Sequence, residues 1–365
     1  MTKVRETKLE VNIKNIVSNI NEIQNTIGNE VELMPIIKNN AYGTEINKRI
    51  DIFDKANINI VGVAIVDEAI GLREQGFKKD IFILNQPLEE EIPAIAKYNL
   101  TVGVSTDRFI EQLGKTDHKY KIHIEICTGM GRTGINPCKI YEYIKYIKQY
   151  SNIEIEGIYT HFSCSDCNKE CTENQIKLFD QTVEIAKRQI PNIKYVHASN
   201  SSAILNFKHA RYNLVRPGIL IYGYYPTEDL KHKINVKPSL ILKSKISFIK
   251  EVDKGFSIGY GRTYITNKKM KIATVPIGYA DGIRRSLSNK GNVIINNTVA
   301  PIVGTICMDC FMVDVTDILN VNLSDTVYIW DNNKICIEDI AKIYDSINYE
   351  VISTISPRVR REFIE

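Results

Sequence analysis

The sequence predicts an α/β protein: a (β/α)8 barrel of the TIM type, followed by a smaller, mostly antiparallel β domain. Eight short apolar runs alternate with polar segments of helical pattern over the first two-thirds of the chain, which indicates parallel βαβ units. Near residue 238 the pattern changes to alternation of period two, with turn residues between the runs. We therefore expect the barrel over residues 1–238 and the β domain over residues 239–365.

The eight strand candidates are rich in Ile and Val, as is typical of parallel strands buried on both faces. They are VELMPIIK (31–38), INIVGVA (58–64), DIFIL (80–84), LTVGV (100–104), YKIHIEI (120–126), IEIEGIYTH (153–161), IKYVHA (193–198) and LVRPGILIYG (214–223). Between them, segment 66–76 has acids in its first turn and Gly76 at its end, and segment 173–190 has an apolar helical face. A short helix is expected near 337–345.

An open, doubly wound sheet is the structural alternative for the first part of the chain. Such a sheet usually has fewer strands and carries a glycine-rich phosphate loop. Neither a GxGxxG nor a Walker sequence occurs in the chain. The count of eight strand candidates therefore favours the closed barrel.

Composition and charge are typical of a soluble globular protein. The chain has 365 residues, of which 44% are hydrophobic and 25% charged, and its net charge is +4. No long block of one sign indicates nucleic acid or an anionic membrane as a partner. The polar start lacks the apolar core of a signal peptide, and no run reaches the roughly 18 to 20 apolar residues of a membrane span. We expect a cytoplasmic protein.

The eight cysteines are expected to be thiols, because cytoplasmic proteins rarely carry a disulfide framework. Cys164, Cys167 and Cys171 are close in sequence, but only three ligands are local and no second CxxC pair completes a zinc site. Cys307 and Cys310 form a CxxC in an apolar, β-like run rather than beside a βαβ redox pattern. We expect no metal.

Polar and small residues follow the strand candidates, where a (β/α)8 barrel carries its active site. These residues are Lys38, Asn40, Tyr42, Glu125, Thr128, Met130, Arg132, His161, Asn200, Ser201, Arg216, Gly218 and Ile219. Lysine forms Schiff bases, and a partly desolvated amine loses its proton more readily. Most lysines at strand ends are solvated and have no such role. Whether Lys38 forms a Schiff base must therefore be judged from the other residues on this rim.

Two segments at the seventh and eighth strand candidates suit a phosphate group. Ser201 supplies a hydroxyl, and the backbone amides of Gly218 and Ile219 can point at an anion with no side chain in the way. Taken alone, each segment is more often an ordinary helix N-cap or turn than a phosphate site. Together with a lysine on the first strand they indicate pyridoxal 5'-phosphate, which offers an aldehyde to the lysine and a phosphate to the opposite rim.

Motifs along essentially the whole chain resemble those of the alanine racemases, which are pyridoxal-phosphate amino-acid racemases. IIKNNAYG is similar to the family's lysine motif, usually KANAYGHG, and TGMGRTG (128–134) is similar to its TGMGRLG. GIYTHFSCSD, HASNSSA, VRPGILIYG, IGYGRTY, PIGYADGIRR, VGTICMDCFMVDV and INYE follow in the family's order. The resemblance implies an isomerase that interconverts L- and D-alanine and supplies D-alanine for peptidoglycan.

The resemblance also implies a role for each matching residue. Lys38 and Tyr260 would be the two acid/base groups, on opposite faces of the substrate, and Lys38 would also hold the cofactor through a Schiff base. The other cofactor contacts would be Tyr42, His161, Asn200, Ser201, Arg216, Gly218, Ile219 and Tyr349, the substrate contacts Arg132, Tyr279, Met308 and Asp309, and the supporting residues Glu125, Asp281, Arg285 and Arg361.

Physical chemistry explains two of these implied roles. Arg216 would face the pyridine nitrogen, and because arginine only donates, that nitrogen must accept, which weakens the cofactor as an electron sink and disfavours side reactions. Tyr260 would return a proton from the face opposite Lys38, for which a tyrosine needs cationic neighbours. In the family this tyrosine comes from the partner subunit with the loop of Met308 and Asp309, so a homodimer with shared active sites is implied.

Position 125 is the main departure from the family pattern. Many members have a carbamylated lysine there, whose negative charge orients the neighbouring arginine, here Arg132. Glu125 supplies a fixed negative charge but is shorter, so Arg132 must shift or a water must bridge the gap. We expect Glu125 to keep this role; the alternative is that the role is lost.

Other departures near the substrate positions leave three alternatives open. The first alternative is a racemase of another amino acid, and serine is the leading candidate. A decarboxylase of the related barrel family is disfavoured by TGMGR, GYADG and the CMD loop. A pyridoxal-phosphate-binding or carrier protein without turnover is the non-enzyme alternative, although the small single-barrel relatives lack the second domain expected here.

Overall fold

The apolar runs of the sequence form the strands of two large sheets. The structure is a computed structural model and describes residues 5–365. The strands are β1 (Lys8–Asn12), β2 (Glu32–Leu33), β3 (Ile60–Val63), β4 (Asp80–Ile83), β5 (Thr101–Val104), β6 (Tyr120–Glu125), β7 (Ile153–Tyr159), β8 (Tyr195–Asn200), β9 (Leu214–Arg216), β10 (Leu240–Lys245), β11 (Phe248–Val252), β12 (Ser257–Ile258), β13 (Tyr264–Ile265), β14 (Met270–Val275), β15 (Asn292–Ile295), β16 (Thr298–Val303), β17 (Phe311–Asp314), β18 (Thr326–Trp330) and β19 (Arg360–Ile364).

The helices are α1 (Ile13–Ile27), α2 (Lys38–Tyr42), α3 (Asp51–Lys55), α4 (Val66–Glu74), α5 (Ile92–Lys97), α6 (Asp107–Gly114), α7 (Ile140–Ile147), α8 (Lys169–Gln189), α9 (Ser201–Asn206), α10 (Ile337–Tyr344) and α11 (Asn348–Ser353). Of these, α2 is a left-handed turn rather than a right-handed helix. Short 3-10 helices occur at Ile46–Lys48, Glu89–Glu91, Pro137–Lys139, Lys208–Ala210, Ile219–Tyr222, Glu228–Leu230, Tyr260–Arg262, Tyr279–Asp281 and Arg285–Leu287.

The chain divides into two compact units, which we call the barrel unit and the sheet unit. The barrel unit comprises Ile16–Ala41 and Ile46–Lys237; the sheet unit comprises Pro238–Glu365, Tyr42–Glu45 and the described residues up to Asn15. The break between Lys237 and Pro238 agrees with the predicted boundary, but the described residues up to Asn15 and Tyr42–Glu45 belong to the sheet unit rather than to the barrel. There, β1 pairs with β10 and β19. A strand alone shows its alternating pattern but not which sheet it joins.

In the barrel unit, eight parallel strands lie in the order β2-β9-β8-β7-β6-β5-β4-β3. The ends of this sheet meet at a parallel bridge, where the N–H of Gly62 donates to the carbonyl of Pro35 and the N–H of Ile37 to the carbonyl of Gly62, both at 2.9 Å. Both β3 and β5 are buried along their whole length. Helices alternate with these strands, so the predicted (β/α)8 barrel is confirmed.

Two of the predicted barrel strands end early. Segment 31–38 forms only the short β2 and the bridge at Ile36, and segment 214–223 forms β9, which stops at Arg216. Proline follows Arg216 and cannot donate to a strand ladder, so the chain turns into a 3-10 helix instead. Gly218 and Ile219 therefore lie beyond the eighth strand, not on it.

Glycines in the barrel strands make room for large polar side chains in the interior. A Cβ on Gly157 of β7 would lie 2.8 Å from the ring of His123, and a Cβ on Gly103 of β5 would collide with the hydroxyl of Tyr159. His123, His197 and Tyr159 are accordingly almost fully buried. The barrel core thus contains titratable groups as well as Ile and Val.

The sheet unit holds a nine-stranded sheet in the order β11-β14-β17-β16-β15-β18-β10-β1-β19. All neighbours in it are antiparallel except β1 and β19, which confirms the mostly antiparallel prediction. A separate hairpin of β12 and β13 packs on it through a cluster of Val252, Ile258, Met270, Ile272 and Val303. Between residues 5 and 365, no helix has the length and apolar character needed to cross a bilayer.

Candidate active site

The predicted site residues of the barrel unit lie at or just after the carboxyl ends of parallel strands. Lys38 follows β2, Glu125 ends β6, His161 follows β7, Asn200 ends β8 and Arg216 ends β9. Because the strands of a closed parallel barrel end on one face, these residues share one rim. The structure therefore brings together the barrel residues that the sequence singled out.

Lys38 begins a turn with an unusual backbone. The four residues from Asn39 to Tyr42 have φ values of 53, 50, 55 and 56°, a left-handed conformation that costs on the order of 1–3 kcal/mol per non-glycine residue. Glu68 of α4 supports the turn, since its carboxylate accepts the N–H of Asn39 and, at 2.8 Å, that of Ala64. Burial lowers the pKa of Lys38, and the charge of Arg132 lowers it further while Glu68 opposes. The turn thus presents an amine that releases its proton more easily than a solvated lysine.

Arg216 is buried at the end of β9, and its two terminal nitrogens are held by the protein. One Nη donates to Nδ1 of His197 at 2.6 Å, and the other donates to the carbonyls of Thr160 (2.7 Å) and Ala198 (2.9 Å). Burial lowers the pKa of Arg216 to about 10, so it stays charged at neutral pH. Its Nε is buried without a hydrogen-bond partner among residues 5–365. A buried donor of this kind calls for an acceptor from a ligand.

A chain of buried side chains extends from Arg216 through the barrel. Because arginine only donates, Nδ1 of His197 accepts, and its Nε2–H donates to Nδ1 of His123 at 2.8 Å. Nε2–H of His123 then faces Glu156 at 3.4 Å. Burial lowers the pKa of both histidines, for His197 with the help of Arg216, and they are neutral. The position of Arg216 is therefore fixed from behind by a run of oriented rings.

Backbone amides and a hydroxyl meet where β8 and β9 end. The N–H of Gly218 donates to Oγ of Ser201 at 2.9 Å, and Ile219 begins a 3-10 helix whose first N–H groups have no partner within the helix. Asn200 caps α9, since its Oδ1 accepts the N–H of Ala203 at 3.0 Å, and it also accepts the hydroxyl of Ser165 at 2.9 Å. Within residues 5–365 the amide nitrogen of Asn200 has no hydrogen-bond partner, so it is available to a ligand. This arrangement suits an anion.

Gln175 of α8 connects two loops of the rim. Its Nε2 donates to Oγ1 of Thr128 at 3.2 Å and to the carbonyl of His161 at 3.4 Å. Its Oε1 accepts both the N–H and the hydroxyl of Ser163, each at 3.0 Å. Burial lowers the pKa of His161 well below its usual range, and the charge of Arg216 acts in the same direction. The rim thus presents a neutral, oriented imidazole.

Glu125 is buried at the end of β6, and its Oε2 has no hydrogen-bond partner within residues 5–365. Burial raises the pKa of its carboxyl, while the charge of Arg132 opposes this shift. No ion pair within 4.0 Å joins Glu125 to Arg132 in the described part of the chain. The two groups interact through their charges at longer range.

In the sheet unit, Tyr260 stands on a short turn between β12 and β13. Its side chain is 72% exposed. Gly259 and Gly261 on either side have φ values of 73 and 72°, which only glycine adopts at little cost. The carbonyl of Tyr260 accepts the hydroxyl of Thr305 at 2.8 Å, which holds the turn. The protein fixes the backbone here and leaves the phenol open to solvent.

The other predicted residues of the sheet unit fall into exposed and buried sets. Tyr279, Arg285, Met308 and Asp309 are exposed, and Asp309 accepts from Arg358 at 2.7 Å. Asp281 is fully buried and accepts from Arg5 and from the N–H of Gly278. Arg361 donates to the carbonyls of Gly43, Ile355, Ser356 and Val359. Asp281 and Arg361 thus act as framework.

Two tyrosines of the sheet unit face each other. The rings of Tyr42 and Tyr349 lie with their centroids 6.2 Å apart. Burial raises the pKa of Tyr42, so its hydroxyl keeps its proton and can donate to an anion.

Comparison with known proteins decides the family. The profile described as alanine racemase, N-terminal domain, matches residues 11–226, and that of the C-terminal domain matches residues 239–363. The alanine racemase of Halothermothrix orenii is 38% identical over 367 residues, which cover 98% of this chain and 97% of that protein. The alanine racemase of Methanococcus maripaludis is 38% identical over 371 residues, covering 97% and 98%. The chain belongs to the alanine racemase family.

Solved structures of alanine racemases share the fold. The structure of the enzyme from Clostridium difficile 630 matches with a TM-score of 0.95 at 33% identity, covering 100% of this chain and 97% of that one. The structure from Bacillus anthracis with bound L-Ala-P matches with a TM-score of 0.94 at 32% identity, covering 100% and 96%. As a member of the family this chain is an isomerase, and the predicted family and enzyme class are confirmed.

Several residues that contact the candidate site residues were missed from the sequence. They are Glu68, His123, Glu156, Gln175, His197 and Arg358. The two histidines carried a usable signal, because a polar ring inside an otherwise apolar strand needs a buried partner. Gln175 and Arg358 had no such signal, since each lies in a polar stretch of sequence.

Proposed function

We propose that this chain is a pyridoxal 5'-phosphate-dependent racemase that interconverts L- and D-alanine by a two-base mechanism, with Lys38 and Tyr260 as the bases. Family membership over the whole chain supports the reaction and the substrate. The observation that carries the cofactor assignment is the buried, unpartnered Nε of Arg216, on the same rim as Lys38. Alanine racemases supply D-alanine for peptidoglycan, and we propose that biological role here.

The residues of the candidate site fit this cofactor. The Lys38 amine suits its aldehyde, the neutral ring of His161 suits stacking, and the amide nitrogen of Asn200 suits the ring region. The phosphate contacts would come from Tyr42, Ser201, Gly218, Ile219 and Tyr349. When bound, the cofactor withdraws electrons from the substrate Cα and so makes the Cα proton removable.

Three side chains of the protein then have distinct roles, each at one atom. Arg216 keeps a hydrogen on Nε and presents it as a permanent donor, which limits how far electrons are withdrawn. Nζ of Lys38, with its lowered pKa, takes or returns the Cα proton on one face. Oη of Tyr260 does the same on the opposite face. Arg132, Tyr279, Met308 and Asp309 would contact the substrate, with Glu125 holding Arg132 through its charge.

The proposed division of labour follows the two parts of the chain. Residues 1–238 would bind the cofactor, with Tyr349 as an additional contact, and residues 239–365 would supply Tyr260 to the partner subunit of a homodimer that acts in the cytoplasm. The high exposure of Tyr260, Tyr279 and Met308 supports this assignment, because large side chains left in solvent often mark an interface.

Incubation of the purified protein with L-alanine in D2O tests the proposal. We expect D-alanine to form with deuterium at Cα, and L-serine to react more slowly. Bound cofactor without any D-product would instead identify a carrier protein. Faster turnover of serine would keep the racemase but change its substrate. Sedimentation of the holoenzyme as a monomer at assay concentration would overturn the shared site.

A further inference from the structure

Two cysteines meet beside the rim of the barrel unit, in a segment that the proposed chemistry does not use. After β7 the chain turns back on itself, since the carbonyl of Cys164 accepts the N–H of Cys167 at 3.1 Å and that of Asn168 at 2.9 Å. This turn sets Cys164 against the first turn of α8, where Oδ1 of Asn168 accepts the N–H of Cys171 at 2.9 Å.

The side chains of this turn bring the two sulfur atoms together. Oγ of Ser163 lies 3.4 Å from Sγ of Cys164 and 3.9 Å from Sγ of Cys171. Sγ of Cys164 also lies 3.9 Å from Oγ1 of Thr172, the residue that follows Cys171 in α8. Both cysteines are partly exposed, and Cys171 lines an open groove with Thr128, Gly129 and Gln175. A small reagent can therefore reach the pair.

The two thiols differ in acidity. Burial alone would raise the pKa of Cys164, but hydrogen bonds from Cys171, Ser163 and Thr172 outweigh it and the pKa is lowered. The pKa of Cys171 is raised, first by its hydrogen bond to Cys164. The thiolate is the reactive form of cysteine. Cys164 is thus the attacking sulfur and Cys171 the one that completes the bond.

The thiol pair is connected to the rim through one residue. Ser163 precedes Cys164 and binds Gln175 through both its N–H and its hydroxyl. Gln175 in turn holds the carbonyl of His161 and the hydroxyl of Thr128. A displacement of Cys164 therefore moves the support of the imidazole that would stack on the cofactor.

We propose that Cys164 and Cys171 form a redox-sensitive dithiol that closes to an intramolecular disulfide by exchange with low-molecular-weight disulfides, and that closure slows the enzyme. The thiolate of Cys164 attacks one sulfur of RSSR and releases RS⁻. Cys171 then loses its proton to solvent and attacks the Cys164 sulfur, which releases the second RS⁻. Two protein thiols are oxidised and one small disulfide is reduced to two thiols.

Closure changes the geometry at Ser163. A disulfide needs its sulfur atoms about 2.05 Å apart, which is closer than two thiols approach without a bond. Cys164 must therefore shift relative to α8, and because Ser163 shifts with it, its two bonds to Gln175 on the same helix are distorted. Displacements of about 1 Å near an active site often cost large factors in rate. We expect closure to lower kcat roughly tenfold.

Treatment of the holoenzyme with 2-hydroxyethyl disulfide, followed by thiol titration, peptide mapping and racemase assay, tests the proposal. We expect loss of two thiols, a peptide linked between Cys164 and Cys171, and an activity loss that dithiothreitol reverses. Cys164→Ser should resist both changes, whereas Cys171→Ser should stop at a mixed disulfide on Cys164 and give no linked peptide. Cys167→Ser is the matched control, because it removes an exposed thiol from the same turn, and it should behave as the wild type.

Three results would overturn the proposal: a link at other cysteines, a stable mixed disulfide at Cys164 without closure, or closure with unchanged kcat. The activity readout rests on the proposed function, whereas the mapping does not. A reduced holoenzyme with no racemase activity would contradict the proposed function alone. Peptide mapping would still show whether Cys164 and Cys171 form a disulfide.

Discussion

The proposed site residues of the barrel unit and those of the sheet unit are presented in opposite ways. Arg216 is 2% exposed and its terminal nitrogens are held by the protein, whereas Tyr260 is 72% exposed and its backbone carbonyl accepts the hydroxyl of Thr305. Residues that hold a cofactor for the life of the enzyme gain from burial, because a dry, oriented donor is stronger. A residue that acts from a surface must stay accessible.

This contrast predicts different consequences of mutation. Changes among the buried polar residues of the barrel should lower both stability and activity, since they leave a partner unsatisfied. Changes at the exposed residues of the sheet unit should lower activity alone, because surface substitutions usually alter stability by less than about 0.5 kcal/mol.

The largest effect is expected for Lys38→Ala. Loss of an amine that would both hold the cofactor and carry a proton should lower kcat by at least about 10⁴-fold in both directions. The visible absorbance of the bound cofactor should be lost as well. Lys177→Ala, on the exposed side of α8, is the control and should keep full activity. Comparable rates in the two variants would remove Lys38 from the mechanism.

Tyr260→Phe should have the next largest effect, about 10²–10⁴-fold on kcat, with an unchanged melting temperature. Lys38 would still exchange the Cα proton that faces it. We therefore expect deuterium to enter one enantiomer of alanine while the other stays unlabelled. Tyr141 is an exposed tyrosine on α7, and Tyr141→Phe should leave kcat unchanged. Labelling of both enantiomers at the wild-type rate would contradict the two-base assignment.

Glu156→Gln tests the buried chain behind Arg216. Burial opposes ionisation of Glu156, but hydrogen bonds from His123 and Lys121 outweigh it and lower the pKa to about 2. Because this value lies below the unfolded value of about 4.3, the carboxylate stabilises the fold at pH 5 and above. The variant should lose roughly 2–3 kcal/mol at pH 7.

The pH dependence of that loss is the sharper measurement. The free energies of unfolding of the wild type and the variant, measured in urea, should converge as the pH falls from about 5 toward 2, because the wild-type carboxyl then becomes protonated. Glu154→Gln, an exposed position on the same strand, should match the wild type throughout. A stability difference that is constant with pH would show that Glu156 contributes by packing rather than by charge.

The smallest effect is expected for Glu125→Gln. Because burial raises the pKa of Glu125, its ionised form costs stability above the ordinary carboxyl pKa. The variant should thus be at least as stable as the wild type at pH 8. Its kcat/KM should fall by about tenfold, since Arg132 loses an anionic neighbour. Unchanged kcat/KM would mean that position 125 has lost the role that a carbamylated lysine has in other members.

Much of the barrel could be predicted because its signals are local. The alternation of apolar runs and helical segments indicated eight parallel strands, and residues at strand ends indicated the rim. The end of β9 at Arg216 was missed, although Pro217 was the signal for it. The placement of β1 was missed for a different reason, since the choice of sheet depends on strands more than 200 residues away.

The sequence by itself determined the kinds of groups on the rim: an amine, an imidazole, a guanidinium and a cradle of hydroxyl and glycine amides. Only the tertiary structure decided the hydrogen-bond partners and the protonation states of these groups. The link of His197 to His123 joins residues 74 apart, and that of His123 to Glu156 joins residues 33 apart. The link of Arg216 to His197 joins residues 19 apart. Such pairs depend on the register of neighbouring strands, and burial then sets which atoms carry protons, because charge in a dry interior is stable only beside a partner.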